Sequence, residues 1–344
     1  MTLCTIAIPV FNRASLVRRA IDSALAQDVD GLEVLAVDNC STDGTWEVLQ
    51  SYPDRRLRIA QNPRNLGLVG NLNRCLDLAR GKYLRLLCSD DRLPPGVLEQ
   101  EIQLLEAHPE VSLLSGRNHL VNEAGEIQEV ARHYMAPGIY ASREAIYGIL
   151  WLHAYYGRNP LHYISGILLR RDAVVRAGRF DEDFPLYLDL EFLLRVLKFG
   201  DLAIWNGVGA EVLVHAQQQG VLIGDAAAVG DLFQLANRYR ILLQERGTYD
   251  RIREQFAGLS LLLAIGHRLR GNVDESQRHR DLQRREGVSW WKMMRGIARM
   301  AVLKALHRTT GVVILPSRLR KSFHRLFKAG EKAPAPSGQT GDIA

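Results

Sequence analysis

The chain has 344 residues, of which 47% are hydrophobic and 24% charged, and a formal net charge of +6. That length exceeds an ordinary single domain and buries a sizeable core without disulfide staples, and the composition excludes a disordered or disulfide-scaffold protein. The charge is uneven: residues 287–330 hold ten Lys/Arg and no Asp/Glu, leaving 34 basic against 38 acidic side chains elsewhere, so the basicity belongs to the tail and not to the body.

The four cysteines, Cys4, Cys40, Cys75 and Cys88, form no CxxC pair and no zinc-ligand spacing, and a reduced cytosolic setting is the simplest reading. The apolar start at Leu3–Val10 lacks a basic n-region and a cleavage site, so no signal peptide is expected. No run of about 18 uncharged apolar residues argues for a membrane-spanning helix.

Leu3–Val10, a short apolar run closing on Pro9-Val10-Phe11-Asn12, predicts a buried strand. Ser15–Gln27 follows with Leu16, Val17, Ala20, Ile21, Ala24 and Leu25 on one helical face. Leu32–Val37 predicts a second strand, and Thr42–Gln50, opened by a Ser/Thr/Asp start signal, a second helix. Leu57–Ala60, Leu68–Leu78, Tyr83–Leu87, Pro95–Ala107 and Val111–Leu114 continue as strand, helix, strand, helix and strand. Such alternation predicts an α/β fold with a mostly parallel sheet flanked by helices. Asn122–Gly125 marks a hairpin-like turn and Ser165–Arg170 a further strand. Asp172–Gly178 is a helix that Gly178 caps, and Tyr187–Lys198 a strongly patterned helix ending at Gly200. Beyond about residue 222 the pattern is helical, over Asp231–Glu245, Ile252–Arg270 and Trp290–His307. The organisation predicted is a main domain over 1–222, a helical, basic C-terminal extension over 223–330, and a disordered tail over 331–344.

Ligands of parallel sheets bind beyond the carboxyl ends of the strands, which singles out Phe11-Asn12-Arg13, Asp38-Asn39, Asn62–Asn65 and Ser89-Asp90-Asp91. Asp38 suits the imide or amino N–H of a nucleobase, and equally an Asx turn. Adjacent carboxylates at Asp90 and Asp91 suit a hard divalent cation, Mg²⁺ or Mn²⁺, held together with substrate phosphates; the plainer alternative is that Asp91 caps the following helix. Asp189 and Glu191 lie at the opening of an apolar helix, where a carboxylate with a raised pKa suits a general base, or where both simply complement the helix dipole with Glu191 paired to Arg195. His215 follows the apolar Val212-Leu213-Val214 and is either a metal or diphosphate ligand or structural.

Taken together, Ile8–Arg13, Val37-Asp38-Asn39-Cys40-Ser41-Thr42-Asp43-Gly44-Thr45, Asn65-Leu66-Gly67 and Leu87–Pro95 resemble family 2 of the inverting GT-A glycosyltransferases. Gly166–Arg171, Gly178–Glu182 and Asp189–Arg195 extend the resemblance, which covers about residues 3–220. It implies a nucleotide-sugar donor pocket lined by Pro9 and Phe11, with Asn12, Arg13, Asn65 and Ser89 nearby and Asp38 on the base. It also implies metal at Asp90, with Asp91 and His215 beside it, and Asp189 as catalytic base. Two departures stand out. Cys88 replaces the first acid of the family's DxD motif, and Leu188 replaces an acid often found before the base, leaving Glu191 and Asp183 as rivals. The implied activity is inverting, metal-dependent transfer from a UDP- or dTDP-sugar to a saccharide or lipid-linked saccharide in bacterial surface polysaccharide synthesis. The alternatives are a degenerate nucleotide-sugar-binding protein and a sugar nucleotidyltransferase, the latter lacking its glycine-rich phosphate loop.

Trp290, Trp291, Met293, Met294, Ile297, Met300 and Ala301 share one side of a helix, with Lys292, Arg295 and Arg299 on the other. With the basic run Arg318–Lys328, this predicts a membrane-surface segment over 288–328 and a cytoplasmic protein peripheral on the inner face of the membrane. A helix packed on the domain or an oligomer contact is the alternative. No nucleic-acid-binding motif accompanies the basic residues.

Overall fold

The structure, a computed structural model, describes residues 2–131, 133–156, 159–214 and 225–310. Strands β1 (Cys4–Val10), β2 (Leu32–Asp38), β3 (Leu57–Gln61) and β4 (Tyr83–Leu86) pair in parallel in the order β3-β2-β1-β4. Helices α1 (Val17–Leu25), α2 (Thr45–Gln50) and α3 (Gly67–Leu78) make the crossovers, and α4 (Val97–Ala107) leads out of β4. Successive strand side chains point to opposite faces, and the core divides accordingly. Ile6, Ile8 and Val34 meet α1 and α4, whereas Ala7, Leu35, Val37 and Leu86 join Leu72 and Cys75 of α3 on the other face. Burial on both faces is why β1, β2 and β4 read as mostly apolar runs, whereas the edge strand β3 is only half-buried.

The second half of the sheet is mixed. Strand β8 (Ile167–Arg170) lies antiparallel between β4 and β5 (Val111–Val121). Beyond β5 come β9 (Asp201–Leu213), parallel to it, and β7 (Gly138–Tyr140), antiparallel at the edge, while β6 (Ile127–Ala131) pairs with the far end of β5. β5 runs seven residues past its expected end, through Ser115-Gly116-Arg117-Asn118. It is accommodated by glycine: a Cβ on Gly116 would lie 2.8 Å from Gly209 Cα on β9, and one on Gly209 would lie 2.7 Å from the Gly166 carbonyl oxygen. Three backbones thus approach closely beside the loop that follows β4.

Helix α5 (Ser142–Tyr156) had no sequence signal because it is buried all round, from Ala145 to Tyr156, leaving no amphipathic stripe. Short helices α6 (Arg171–Ala177) and α7 (Leu188–Val196) follow β8. The extension comprises α8 (Asp225–Arg238), α9 (Arg240–Glu245), α10 (Tyr249–Leu269), α11 (Val273–Glu286) and α12 (Trp290–Thr310). α11 also escaped prediction, since Val273 and Leu282 are its only large apolar side chains; its start is capped by the Asn272 side chain, which accepts from Glu275 N–H.

Part of the proposed lipid-facing helix is engaged in packing. Met293 and Met300 are buried, and a Cβ on Gly258 of α10 would lie 2.9 Å from the Met293 carbonyl oxygen. Arg295 and Arg299 both donate to Glu254 of α10, at 2.8 and 2.6 Å. Trp290 and Trp291 remain exposed, at 52% and 77%. Among the described residues no helix is long and apolar enough to cross a membrane. Residues 311–344, which include the Arg318–Lys328 run and the tail, lie outside the described residues.

Candidate active site

The loops after β1, β2 and β3 are laced together by short polar side chains. Asn12, at φ +50°, donates its N–H to Ser41 Oγ at 2.9 Å and accepts from Thr42 N–H through Oδ1 at 2.9 Å. Asparagine tolerates this left-handed conformation better than most residues. Asn39 accepts from Leu66 N–H and from Asn62, and donates to Asn65 Oδ1 at 2.8 Å. Asn71 accepts from Asn62 at 2.9 Å and donates to the Val37 carbonyl at 3.1 Å. This asparagine network fixes the β3–α3 loop against the end of β2. Asp38 is fully buried and takes bonds from the Ser41 hydroxyl, from Ser41 N–H at 3.1 Å and from Gln61 at 2.9 Å.

After β4 the chain turns through Cys88-Ser89-Asp90-Asp91. Buried Ser165 accepts from Cys88 N–H at 3.1 Å and donates to Asp91 Oδ2 at 2.6 Å; Leu213 N–H donates to Asp91 Oδ1 at 3.1 Å. Asp91 therefore ties this loop to the turn before β8 and to the end of β9. Burial, aided by the neighbouring Asp90 charge, pushes its carboxyl up to about 7. Asp90 is less enclosed and lies 4.0 Å from the Arg13 guanidinium. Donor atoms of Cys88, Asp90 and Asp91 all lie within 4.8 Å of one another.

Asp189 opens α7, where its Oδ1 accepts from Leu190 N–H at 2.6 Å. Burial pushes its carboxyl up to about 6 against the opposing pull of the backbone N–H groups. The adjacent Tyr187 hydroxyl lies 3.1 Å from Nε2 of His153, a buried histidine of α5 that desolvation lowers to about 3 and so keeps neutral.

A cleft of about 740 Å³ unites these parts. Pro9, Phe11, Arg13, Asn65, Ser89, Asp90, Asp91 and Asp189 all line it. Phe11, at 40% exposure, offers a ring at its surface. Asn12, Asp38 and Glu191 do not line it. Glu191 is fully buried, bonded by Arg195 at 2.7 Å and by Arg238, two residues on from Asp189 and so on roughly the opposite side of the helix. Asp183 is exposed and does not line the cleft, and His215 lies outside the described residues. Asn159, His162 and Tyr163 also line the cleft and carried no motif that sequence reasoning could have found, and Tyr187 was read only as the start of a helix.

Residues 5–174 match the family described as Glycosyl transferase family 2. Over 103 residues the chain is 38% identical to the succinoglycan biosynthesis protein ExoO of Rhizobium meliloti (strain 1021), a match covering 30% of this chain and 30% of that protein. It therefore spans less than a third of that relative's length. Among solved structures, S. aureus TarS 1–349 in complex with UDP-GlcNAc superimposes with a TM-score of 0.63 at 15% identity, over 89% of this chain and 92% of the other. The mannosyltransferase PcManGT from Pyrobaculum calidifontis, in complex with GDP-Man and Mn²⁺, gives 0.51 at 17% identity, over 87% and 86%. The fold is shared with both.

Proposed function

Residues 5–174 belong to glycosyl transferase family 2, and from that premise we propose that this glycosyltransferase moves a sugar, with inversion, from a nucleoside-diphosphate donor to a hydroxyl of a saccharide acceptor in polysaccharide assembly. The observation that carries this reading is that Asp90 and Asp189 line one cleft. Phe11 and Pro9 would cover the nucleobase, and Arg13 would meet the diphosphate beside Asp90. Asp189, whose carboxyl is raised toward neutrality, takes the proton of the acceptor hydroxyl as it attacks the anomeric carbon from the face opposite the nucleotide. The leaving group is the nucleoside diphosphate, and no covalent sugar–enzyme intermediate is required.

The chemistry of the cleft fits a divalent cation. The adjacent carboxylates of Asp90 and Asp91 crowd negative charge into one place beside the Cys88 thiol, which burial keeps protonated, and carboxylate oxygens suit Mg²⁺ or Mn²⁺. Asp90 would hold the ion, with Asp91 supporting it. Bound there, the cation neutralises charge on the departing diphosphate. The PcManGT complex with Mn²⁺ and the TarS complex with UDP-GlcNAc support this assignment by fold, and a UDP-sugar is the first donor to test. Incubation of UDP-, dTDP- and GDP-sugars with Mn²⁺ or Mg²⁺ should release a nucleoside diphosphate that EDTA abolishes, with Asp90→Ala lowering turnover roughly 10²-fold or more. Undiminished turnover in EDTA would remove the metal from the proposal, and no turnover of any donor would remove the enzyme.

An acceptor held at a lipid surface is favoured by the extension. Leu262, Ile265 and Leu269 of α10 and Trp290 and Trp291 of α12 are exposed, and residues 287–330 carry ten basic side chains with no acid, of which Arg295 and Arg299 are taken by Glu254. That combination suits an anionic bilayer. The protein should sediment with phosphatidylglycerol vesicles and not with phosphatidylcholine vesicles, and W290A/W291A should lose most of that binding. Equal partition onto both vesicle types, or no change in the variant, rejects the idea.

A further inference from the structure

The family match ends at residue 174, yet the proposed base stands at 189, on a helix that the C-terminal extension grips from two sides. Asp231 of α8 is 1% exposed, and one of its oxygens, Oδ2, accepts both Leu186 N–H and Tyr187 N–H at 3.0 Å. These are the backbone groups immediately ahead of α7, and Pro185, Leu186 and Tyr187 line the cleft next to Asp189. Two turns further along α8, Arg238 donates to Glu191 within α7 and, at 2.9 Å, to Asp181 in the segment leading to it. Tyr187 is fixed at its other end by His153. The apolar core runs across the same contact, since Phe184, Leu188 and Phe192 share a cluster with Val229, Leu232, Phe233 and Ala236 of α8.

We infer that helix α8 is part of the catalytic apparatus: Asp231 and Arg238 are positioning residues that set the entrance of α7, and with it the Asp189 carboxylate, against the donor. Sequence alone assigned α8 to an appendage. One face of it packs on α10 and α11, with Phe233 against Phe256 and Ala226 N–H donating to Glu275, while Asp231 and Arg238 reach the few residues on either side of the base. Backbone N–H groups at a helix start have no partner within the helix and must be satisfied from outside; here the partner comes from a residue 44 or more positions away. Loss of that partner lets the 185–190 segment shift, and a displacement of about 1 Å at a reacting group can cost on the order of 10²-fold in rate. The residues proposed to meet the donor lie on the β1, β3 and β4 loops, and no residue of α8 lines the cleft.

The inference rests on Asp189 being the base, and the experiment separates the two. With the donor found in the screen above, kcat and KM are measured for Asp231→Ala, Asp231→Asn and Arg238→Gln beside Asp189→Asn, together with amide hydrogen exchange over residues 184–192. Asp231→Ala should lower kcat about 10- to 100-fold, leave donor KM within a few-fold and speed exchange at Leu186 and Tyr187. Asp231→Asn should restore most of the rate, because both amides share one acceptor oxygen that an asparagine carbonyl can replace. Arg238→Gln, at a partly exposed side chain, should show the same kcat loss at unchanged KM even if the alanine protein does not fold. A wild-type kcat in Asp231→Ala or Arg238→Gln, or a donor KM that rises as much as kcat falls, overturns the inference. An active Asp189→Asn protein overturns instead the reading of the base.

Discussion

Asp189→Asn is expected to lower sugar transfer by about 10²- to 10⁴-fold while donor affinity changes less than about 2-fold, the range for loss of a positioned general base. Asparagine keeps the size of the side chain and the oxygen that accepts Leu190 N–H, so the local turn survives and only proton acceptance is removed. The pH dependence follows from the same group. The carboxyl titrates near 6 in the folded protein against an ordinary 3.8, chiefly through burial, so wild-type rate should fall as pH drops through about 6, and the residual rate of the variant should lack that limb. Stability moves the other way. A carboxyl whose pKa is raised by folding contributes stability below its unfolded pKa, and that contribution is lost as pH rises through about 6. At pH 8 wild type carries an ionised carboxylate in a site that disfavours it, so Asp189→Asn should melt no lower than wild type there. Initial rates, donor titration and thermal melts at pH 5 to 9 check all three. Wild-type turnover in the variant ends the assignment.

How much of this was visible beforehand depended on what each segment buries. β1, β2 and β4 and their crossover helices were legible because strands covered on both faces are mostly apolar, and α1 and α3 carry a one-sided stripe; the edge strand β3 is half-buried and was marked by Leu57, Ile59 and Ala60. α5 and α11 failed in opposite directions: one is apolar all round and the other polar nearly all round, so neither shows a helical period. β9 was unreadable because Trp205-Asn206-Gly207-Val208-Gly209 is stabilised by pairing with β5, a partner 90 residues earlier, and not by its own pattern. In the site, position after a strand was a good guide: Phe11, Arg13, Asn65, Ser89 and Asp90 all reach the cleft. Direction was legible only toward local partners: a turn at Asp38 and the pairing of Glu191 with Arg195 stood among the sequence alternatives, whereas Gln61 and Arg238 are reached across the fold and spacing along a chain does not disclose them. Tyr187, His153 and Asp231 come from three separate elements, and no local pattern connects them.

Glu101→Ala is expected to destabilise the protein by about 3–5 kcal/mol, the usual consequence of removing one partner of a buried ion pair. Arg85 of β4 and Glu101 of α4 are both wholly enclosed, and their side chains are directly bonded. Arg85 also donates to the Ser165 carbonyl at 3.1 Å and to the Gly209 carbonyl at 2.7 Å. It therefore joins α4, β9 and the turn before β8 directly beneath the Cys88–Asp91 loop. Without Glu101 its charge stays buried with only neutral oxygens to face, and such a loss is a large share of the roughly 5–15 kcal/mol that stabilises a domain. The pair itself is a different matter, because desolvation offsets most of its attraction. The double substitution R85M/E101L should accordingly regain part of the lost stability. Recovery should stop short of wild type, since the Ser165 and Gly209 carbonyls are then left without a donor at about 1–3 kcal/mol each. Urea unfolding of the wild type, Glu101→Ala and the double variant measures these differences. Because Ser165 also carries Cys88 N–H and Asp91, the single variant should lose metal-dependent turnover at temperatures where it is still folded. A Glu101→Ala protein as stable as wild type would mean that Arg85 finds its compensation elsewhere, and the ordering of the Asp90 loop would then have to come from Ser165 and β9 alone.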